Sequence, residues 1–332
     1  MTVKESVRQI LEQNRGKTVS GQELAERLQV SRAAIWKAVK SLQSEGHTIE
    51  ASTNKGYRLD PHSDVLSAEG IRAYLPAALR KRPLTVYRVI DSTNSQAKRL
   101  ALEGASHGTV LVAEEQSAGR GRRGKSFFSP SGTGIYMSVI LRPGTAMRAP
   151  QRITIHAAVA VSRAIERCTG LRPLIKWVND LYLNGRKICG ILTEAVSDFE
   201  SGSIESLVVG IGINVSTKAE AFPAELAEIA GSLTAAVSRN QLIACILEEL
   251  FAGETALQAP ELIEEYKARS MMQGLTIAYT NAQGETTGRV QDINEQGNLV
   301  VEKPDGSVEI LQAGEVRITG GLPVSGEKGR RL

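Results

Sequence analysis

Hydrophobic positions recur at two different spacings along this chain of 332 residues, and the change of spacing divides the chain into regions. In the first 60 residues apolar side chains repeat every three or four positions, and this spacing predicts short helices, the first of which ends at Gly16. A second helix opens at the capping-box pattern of Ser20 and Glu23, and Ser31 is placed to cap a third. Three short helices in this order predict a helix-turn-helix.

A hairpin is predicted directly after the third helix, with its turn near Asn54 to Gly56, so residues 1–62 have the sequence of a winged helix-turn-helix DNA-binding domain. The third helix is expected to enter the major groove, and the wing adds two basic residues. The candidate DNA contacts are Ser31, Arg32, Lys37, Lys40, Lys55 and Arg58. Residues 1–60 carry ten Lys or Arg against seven Asp or Glu, so a winged helix used for protein contact stays open as the alternative.

The remaining chain is predicted to form three more segments. Residues 63–83 read as a linker with a short helix near Ala68 to Leu79. From 84 to 272 apolar strands alternate with helical stretches, which predicts a mixed-sheet α/β core that holds the chemistry. Residues 273–332 show short strands with polar turns and predict a small SH3-like β-barrel with a polar tail. The predicted fold class is therefore α+β and multidomain.

Composition narrows the choice of compartment and partner only slightly. A hydrophobic share of 42% and a charged share of 23% are ordinary for a soluble globular protein, and the net charge of +4 does not by itself identify an anionic partner. Three widely spaced cysteines without a C-x-x-C pattern indicate neither a disulfide framework nor a zinc site. No signal peptide and no membrane span are recognisable, so a cytoplasmic protein with no membrane partner is expected.

The most informative chemical feature is the loop from Gly119 to Ser126, which contains three glycines, three arginines and a lysine. Glycines let backbone N–H groups approach a ligand, and guanidinium groups match phosphate and carboxylate. The loop follows an apolar strand, a place where ligands of α/β folds commonly bind. A solvated basic connector is the alternative, and the concentration of charge beside Phe127 disfavours it.

The same loop matches the P-loop pattern G-x-x-x-x-G-K-[ST], so a P-loop ATPase with a DNA-binding module is a second hypothesis. A P-loop requires a helix that begins at its Lys-Ser. The chain continues instead with Phe127, Phe128, Pro130 and two glycines, a composition that predicts no helix.

A second group of charges is expected around the turn Asn184-Gly185, a strong signal for a two-residue β-hairpin. A regular antiparallel ladder on this turn pairs Tyr182 with Lys187, Asp180 with Cys189, and Lys176 with Thr193. It brings Lys176, Asp180 and Lys187 to one face of the sheet and leaves Glu194 on the other face unless a bulge intervenes. A solvated cross-strand ion pair is the alternative interpretation.

Five motifs in this order closely resemble those of biotin protein ligase: Asp91-Ser92-Thr93-Asn94, Gly119 to Gly124, Lys176-Trp177-Val178-Asn179-Asp180, Arg186-Lys187-Ile188-Cys189-Gly190 and Gly210-Ile211-Gly212-Ile213-Asn214. With the winged helix in front, the chain resembles the bifunctional biotin protein ligases and biotin operon repressors of bacteria from about residue 1 to about residue 320. The resemblance implies ATP-dependent synthesis of biotinyl-5'-adenylate, with Mg²⁺ accompanying the ATP, and transfer of biotin to a lysine of a biotin carboxyl carrier protein. It also implies a homodimer that binds operator DNA when the adenylate is bound.

The resemblance also assigns residues to the two substrates. The expected biotin-binding residues are Ser92, Thr93, Asn94, Gln116, Gly119, Arg120, Gly121, Arg122, Arg123, Gly124, Phe127, Lys187 and Gly190. The expected ATP and adenylate residues are Lys176, Asn179, Asp180, Asn214 and Glu194. Catalytic roles are expected for Arg122, Lys187, Lys176 and Asp180, and no carboxylate cluster identifies metal ligands.

Three further alternatives concern these residues and this family. Ser92, Thr93 and Asn94 have the composition of a helix N-cap, a role that is compatible with ligand binding. Lipoate ligases share the broader chemistry, although the loop from Gly119 to Gly124 favours biotin. A ligase whose winged helix no longer regulates transcription has the same sequence pattern.

Overall fold

The computed structural model of this protein describes residues 2–52, 55–142, 150–197, 204–281 and 284–319. The chain divides into two compact units, one of residues 1–81 with 236–248, and one of residues 82–235 with 249–332. Thr53 and Asn54, in the predicted wing turn, and the predicted polar tail after residue 319 lie outside the described residues.

The first unit is a winged helix-turn-helix, as the periodicity predicts. Its elements are α1 (Val3–Gln13), β1 (Thr18–Val19), α2 (Gly21–Leu28), α3 (Arg32–Ser44), β2 (Ile49–Ser52), β3 (Gly56–Leu59) and α4 (Ala68–Tyr74). The strands form an antiparallel sheet in the order β1-β3-β2. The core combines apolar residues at helical spacing with apolar residues of the three strands, and it includes Val7, Leu11, Leu24, Ile35, Leu42, Val19, Ile49 and Leu59.

The helix caps agree with the sequence in two places and differ in one. Ser31 caps α3 as predicted. Ser20 caps α2 by accepting the backbone N–H of Glu23, but the reciprocal half of the predicted capping box does not form, because the exposed Glu23 side chain stays in solvent. The complete box lies at the start of α1, between Thr2 and Glu5. The predicted helix near Ala68 to Leu79 ends at Tyr74, since the approaching Pro76 disfavours helical backbone at the residue before it.

The second unit contains a seven-stranded mixed sheet. Its strands are β4 (Leu84–Ile90), β5 (Thr109–Gln116), β6 (Gly134–Leu141), β7 (Leu174–Lys176), β8 (Asp180–Leu183), β9 (Arg186–Ser197) and β10 (Ile204–Asn214). They lie in the order β4-β5-β6-β10-β9-β8-β7, with β4 and β5 parallel and every other pair antiparallel. The mixed-sheet core is therefore confirmed.

Helices cover both faces of this sheet, and this explains why β10 is apolar along nearly its whole length. Helix α5 (Thr93–Leu102) packs on the face that carries Val208, where Ala97 and Ala101 join the core. Helix α6 (Pro150–Thr169) packs on the other face, where its Thr154 hydroxyl donates to Thr193 of β9 at 2.8 Å. A strand buried on both sides has no polar face to alternate with. After β10 the chain forms α7 (Arg239–Ala252), most of which belongs to the first unit, and α8 (Pro260–Arg269) of the second unit.

The last strands form a separate five-stranded antiparallel sheet. They are β11 (Thr276–Asn281), β12 (Gly284–Ile293), β13 (Leu299–Glu302), β14 (Val308–Leu311) and β15 (Val316–Ile318), in the order β14-β13-β12-β11-β15. The predicted all-β character of this region is confirmed, and closure into an SH3-like barrel stays a prediction.

Two further expectations concern the chain as a whole. Among the described residues, no helix has the length and apolar character required to span a bilayer. All three cysteines, Cys168, Cys189 and Cys245, are free thiols.

Candidate active site

A network of buried hydrogen bonds joins the start of α5 to the end of β5. Because β4 and β5 are parallel, the chain leaves both strands at the same edge, and this places Thr93 beside Gln116. The Thr93 backbone N–H donates to Gln116 Oε1 at 2.8 Å, and its hydroxyl lies 3.1 Å from the same atom. Gln116 Nε2 in turn donates to Ser129 Oγ at 2.9 Å. The amide of Gln116 is therefore held in one orientation.

Asn94 is fixed just as closely on the same side of the sheet. Ser138 Oγ donates to Asn94 Oδ1 at 2.6 Å, and Asn94 Nδ2 donates to Glu194 Oε2 at 3.0 Å. Gly210 makes room for this side chain, since a Cβ at Gly210 would lie only 2.1 Å from Asn94 Oδ1. Ser92 meanwhile caps α5, so its predicted alternative as an N-cap is realised.

These polar groups line a small cavity that Phe127 partly fills. The cavity has a volume of about 20 Å³, which is room for about one water molecule. The Phe127 ring lies over two glycines, such that a Cβ at Gly212 would be 2.6 Å from the ring and one at Gly190 would be 3.4 Å from it. The ring also makes an edge contact with Tyr136. The Phe127 ring thus occupies part of the space between these polar groups and the two glycines.

The basic glycine-rich loop, residues 119–126, contributes Arg120 to the lining of this cavity and contains a single 3-10 turn, Arg122–Gly124. Its ends are held together by Gly121 N–H to Lys125 O at 2.7 Å and Phe127 N–H to Gly119 O at 2.9 Å. Arg123 has a φ of +53°, in the left-handed region. No helix begins between residues 125 and 133, all of which are described, so the requirement of the P-loop hypothesis is not met.

Three cationic side chains of the loop are each anchored to a different element. Arg120 Nη2 lies 3.2 Å from Glu194 Oε1 on β9, Arg122 Nη1 donates to Asn179 Oδ1 at 3.0 Å, and Lys125 forms an ion pair with Glu315 near β15. The hydrogen bond from Lys125 is the main cause that lowers the pKa of the Glu315 carboxyl. The loop thus presents several cations to one region and is tied to its surroundings by their partners.

The predicted hairpin at Asn184-Gly185 is confirmed, with both residues at positive φ. The pairing of Tyr182 with Lys187 is also as predicted. The next predicted pair is wrong, because Asp180 lies opposite Gly190 instead of Cys189. The extra residue on β9 is a β-bulge.

The bulge has a structural cause that lies outside the hairpin. The Lys187 backbone bonds to the segment 229–231 instead of continuing the ladder: its N–H donates to Ile229 O at 2.8 Å, and its carbonyl accepts from Gly231 N–H at 2.9 Å. The bulge also corrects the expected side for Glu194. The side chains of Lys187 and Glu194 lie on the same face of the sheet, where Lys187 Cε approaches the Cβ position of Gly190 to 3.3 Å.

The third predicted pair is wrong as well, because Lys176 lies opposite Asp180 and not Thr193. The strand that sequence spacing treats as continuous is broken into β7 and β8 by a turn at residues 177–179. Contacts from distant elements hold this turn: Trp177 Nε1–H donates to Gly297 O at 2.9 Å, and the Tyr266 hydroxyl donates to Val178 O at 3.0 Å.

The predicted catalytic residues nevertheless converge. Lys187 Nζ lies 2.8 Å from Asp180 Oδ2, and Asp180 Oδ1 accepts from Asn179 Nδ2 at 3.0 Å. Arg122 reaches the same Asn179, and Lys176 lies opposite Asp180. Burial, with help from the charge of Lys187, lowers the pKa of Lys176, while Asp180 opposes that shift. The cluster joins two lysines and an arginine around one carboxylate.

Asn214 lies at the end of β10 and supports the segment next to Lys187, since its Nδ2 donates to Gly231 O at 3.0 Å. Several groups that shape the site were missed by sequence reasoning. A lone serine in the apolar strand β6, Ser138, offered a signal, whereas Glu315 lies 190 positions from Lys125 and offered none. Among the described residues, no group of three or more His, Cys, Asp or Glu is placed to hold a metal ion.

The predicted DNA contacts lie on the surface of the first unit. Four of them, Ser31, Arg32, Lys37 and Lys40, are exposed on or at the start of α3. Lys55 is exposed in the wing directly before β3, and Arg58 pairs with Glu50 at 2.8 Å across β2 and β3. The wing arginine is therefore partly neutralised, whereas Arg32, Lys37 and Lys40 of α3 form no ion pair with another described residue.

Comparison with known proteins agrees with this arrangement. The Biotin/lipoate A/B protein ligase family matches residues 86–214, an HTH domain matches residues 4–58, and the Biotin protein ligase C terminal domain matches residues 276–318. The bifunctional ligase/repressor BirA of Bacillus spizizenii is 35% identical over 324 residues, covering 94% of this chain and 98% of the relative. BirA of Escherichia coli is 30% identical, covering 91% of this chain and 94% of the relative.

A solved structure shows the same likeness in three dimensions. Biotin protein ligase from Aquifex aeolicus in complex with biotin and ATP superposes with a TM-score of 0.62 at 25% identity, covering 71% of this chain and 99% of that chain. Residues 86–214, which match the ligase family, include both the polar cavity and the cationic cluster. The chain belongs to the biotin protein ligase family, among the bifunctional ligase/repressors.

Proposed function

We propose that this protein is an ATP-dependent biotin protein ligase that forms biotinyl-5'-adenylate, transfers biotin to a lysine of a biotin carboxyl carrier protein, and acts as a repressor when the adenylate is bound. The observation that carries the proposal is the contact chain Arg122–Asn179–Asp180–Lys187 beside the polar cavity of Thr93, Asn94 and Gln116. The charged residues of the contact chain suit a charged acyl phosphate, and the polar cavity suits an uncharged polar ring. Cytoplasmic localisation is part of the same proposal.

The cavity supports recognition of the ureido ring of biotin, which carries one carbonyl acceptor and two N–H donors. A buried polar ring loses free energy unless these groups are paired. Hydroxyl and amide groups of Ser92, Thr93, Asn94 and Gln116 offer both donors and acceptors. Hydrogen bonds within the protein hold Thr93, Asn94 and Gln116 in place.

In the first step, a carboxylate oxygen of biotin attacks the α-phosphorus of ATP, a new O–P bond forms, and pyrophosphate leaves. Negative charge grows on the phosphoryl oxygens and on the leaving group. Fixed cations aimed at such positions supply electrostatic stabilisation of the transition state. Arg122 and Lys187 are assigned to the carboxylate and phosphate, and Lys176 and Asp180 to the nucleotide side. Glu194, by contrast, contacts Arg120 and Asn94, so its support for the adenylate would act through the loop.

In the second step, the uncharged amine of the carrier lysine attacks the acyl carbon of the adenylate, an amide bond forms, and AMP leaves. No protein nucleophile is required. Cys189, on the same strand as Lys187, is buried, and burial raises the pKa of its thiol well above the usual range. It is therefore unsuited to carry the acyl group.

Magnesium would enter with the nucleotide. Asp180 is a single carboxylate already paired with Lys187, and the described residues contain no metal-binding group of three. Mg²⁺ commonly takes phosphate oxygens and water together with one or two carboxylates. The ion would neutralise part of the phosphate charge.

The proposed repressor activity rests on the winged helix and on the two Bacillus relatives, which cover 94% of this chain and are named bifunctional ligase/repressors. A regulatory ligand must bind one state of the protein better than the other. We assign that ligand as the adenylate and the favoured state as a homodimer that binds a two-fold operator. Unmodified carrier would compete for the adenylate and so delay repression.

Mass spectrometry of a biotin carrier domain tests the ligase activity. The domain is incubated with this protein, ATP and Mg²⁺, with biotin in one sample and lipoate in another. We expect one biotin on one lysine and no lipoate. Arg122→Ala and Lys187→Ala should each slow the modification by at least about 100-fold, the size of effect seen when one electrostatic donor is removed.

One exposed arginine and one exposed lysine outside the site serve as controls for the loss of a positive charge. Arg172 is an exposed arginine paired with Glu166, and Lys218 is an exposed lysine on the same unit. Arg172→Ala and Lys218→Ala should retain full activity. An unmodified carrier together with biotin-independent ATP hydrolysis would show that the proposal is wrong.

A further inference from the structure

The outward face of α3 carries an exposed tryptophan that no predicted role accounts for. Trp36 has 53% of its surface exposed, although the apolar residues on the opposite face of the helix, such as Ile35 and Leu42, are fully buried. Tryptophan side chains are usually largely buried. A half-exposed tryptophan on a surface helix therefore indicates a binding site when the neighbouring side chains also suit a ligand.

The surroundings of Trp36 are cationic. Arg32 lies one helical turn before it and Lys40 one turn after it, and Lys37 is its neighbour; all three are exposed. The Lys40 ammonium lies 5.9 Å from the indole ring. Helix α3 contains no Asp or Glu. The face therefore combines one large aromatic group with a basic rim that no acidic side chain of α3 offsets.

We infer that Trp36 makes a direct contact with base edges in the major groove of duplex DNA, an inference that rests on the proposed repressor function. The basic rim complements the phosphates on both sides of a groove. The groove floor presents the C5-methyl group of thymine for apolar contact and the N7, O6 and O4 acceptors for the indole N–H. No acidic residue of α3 opposes the phosphates.

This assignment gives the residues of α3 different tasks. Arg32, Lys37 and Lys40 supply the salt-dependent attraction to phosphate, which carries little sequence information. Trp36 supplies discrimination between base pairs. Loss of Trp36 should therefore reduce the preference for the cognate sequence and leave non-specific binding and its salt dependence intact.

The experiment uses the full chain with biotin, ATP and Mg²⁺, and duplexes that the unaltered protein selects from a random-sequence pool. Trp36→Ala should bind the selected duplex about 10-fold or more weakly, because one good base contact provides roughly that factor. It should bind a scrambled duplex within twofold of the parent. Lys37→Ala should weaken binding to both duplexes and lower the salt slope by about 1.

Fluorescence provides a second readout that does not depend on a variant. The chain has two tryptophans, and Trp177 is only 4% exposed, so emission that acrylamide quenches comes mainly from Trp36. Saturation with the selected duplex should reduce that quenching at least twofold.

Trp36→Phe keeps an aromatic ring for apolar contact and should keep part of the sequence preference.

The outcomes separate this inference from the proposed function. If Trp36→Ala binds the selected duplex as well as the parent does, or if acrylamide quenching is unchanged in the complex, the inference is wrong while repression stands. If the parent protein selects no duplex at all, the repressor proposal and this inference both fail. Ligase activity of Trp36→Ala should equal that of the parent in every case.

Discussion

Three glycines shape this site as much as its charged residues do. Gly210 leaves room for Asn94, and Gly190 and Gly212 leave room for the Phe127 ring. All three lie in ordinary strands, so their value is space and not backbone conformation. The motifs in the sequence identified these glycines, but only the structure shows which neighbour fills each space.

Gly210→Ala should therefore impair biotin binding more than ATP binding. The added methyl group would overlap Asn94 Oδ1, so Asn94 must move and its hydrogen bonds to Ser138 and Glu194 must lengthen. We expect the KM for biotin to rise about 10-fold or more, with a stability loss of about 1–3 kcal/mol from overpacking. Steady-state kinetics with each substrate varied in turn measures the effect.

Gly21→Ala is the matched control, because a Cβ at Gly21 meets only a Tyr57 ring atom at 3.4 Å, an ordinary contact distance. It should leave both KM values unchanged. An unchanged KM for biotin in Gly210→Ala would contradict the role assigned to Asn94.

His47 should make the first unit lose stability in mild acid. Its imidazole is 4% exposed, and burial, with the charge of Arg8, lowers its pKa to about 4. The unfolded chain binds a proton near the ordinary pKa of about 6.5 and the folded chain does not, so stability should fall as the pH is lowered from about 6.5 to about 4. The largest possible loss is about 3 kcal/mol.

Hydrogen exchange of the α1 and α3 amides in the full chain, measured at several pH values, reports this stability. His47→Gln has no imidazole to protonate and should lose most of the dependence between pH 6.5 and 5. Equal dependence in the parent and the variant over that interval would show that another group is responsible.

At the scale of elements, local patterns predicted most helices and strands, and distant contacts decided the exceptions. The bounds of β13 and β14 follow their apolar residues and the turn between them. The break between β7 and β8 depends on Gly297 and Tyr266, and the bulge at Lys187 depends on residues 229–231. Ladder arithmetic assumes a regular hairpin and cannot include such partners. The convergence of Lys176, Asp180 and Lys187 survived because the break and the bulge both keep them adjacent.

The loop 119–126 is held to the C-terminal sheet region by the ion pair between Lys125 and Glu315. Glu315→Gln removes the carboxylate that holds Lys125, so the loop should open more often. The pair is exposed, and such ion pairs contribute at most about 1 kcal/mol, which limits the effect to about fivefold. Trypsin cleavage after Arg122, Arg123 or Lys125 in the protein without ligands should accelerate by about twofold to fivefold.

Glu285→Gln is the control for this experiment, because Glu285 forms an equally exposed ion pair with Arg317 in the same C-terminal sheet. Its loop cleavage should match that of the parent. Saturating biotin and ATP should slow cleavage in all three proteins. Equal cleavage rates in Glu315→Gln and Glu285→Gln would mean that Lys125 is not an effective anchor.

The whole molecule combines a ligase with a DNA-binding unit. In the proposed scheme, formation of a homodimer couples ligand binding in the ligase to DNA binding. We predict that the protein sediments mainly as a monomer alone and shifts toward a dimer when biotin, ATP and Mg²⁺ are all present. Sedimentation velocity over a range of protein concentrations measures the shift. Added carrier domain should reverse it by consuming the adenylate, and a carrier domain whose target lysine is replaced by arginine should not consume it. A monomer at all concentrations would contradict the regulatory scheme.

The central claim is that Arg122, Lys187 and the polar cavity activate biotin with ATP, and isotope exchange between labelled pyrophosphate and ATP tests it without any carrier. Labelled pyrophosphate enters ATP only when it reacts with the adenylate in the reverse of the first step. Exchange should therefore require biotin. It should fall at least about 100-fold in Arg122→Ala and Lys187→Ala and stay at the parent rate in Trp36→Ala. Exchange without biotin, or release of ADP and phosphate in place of exchange, would contradict the account.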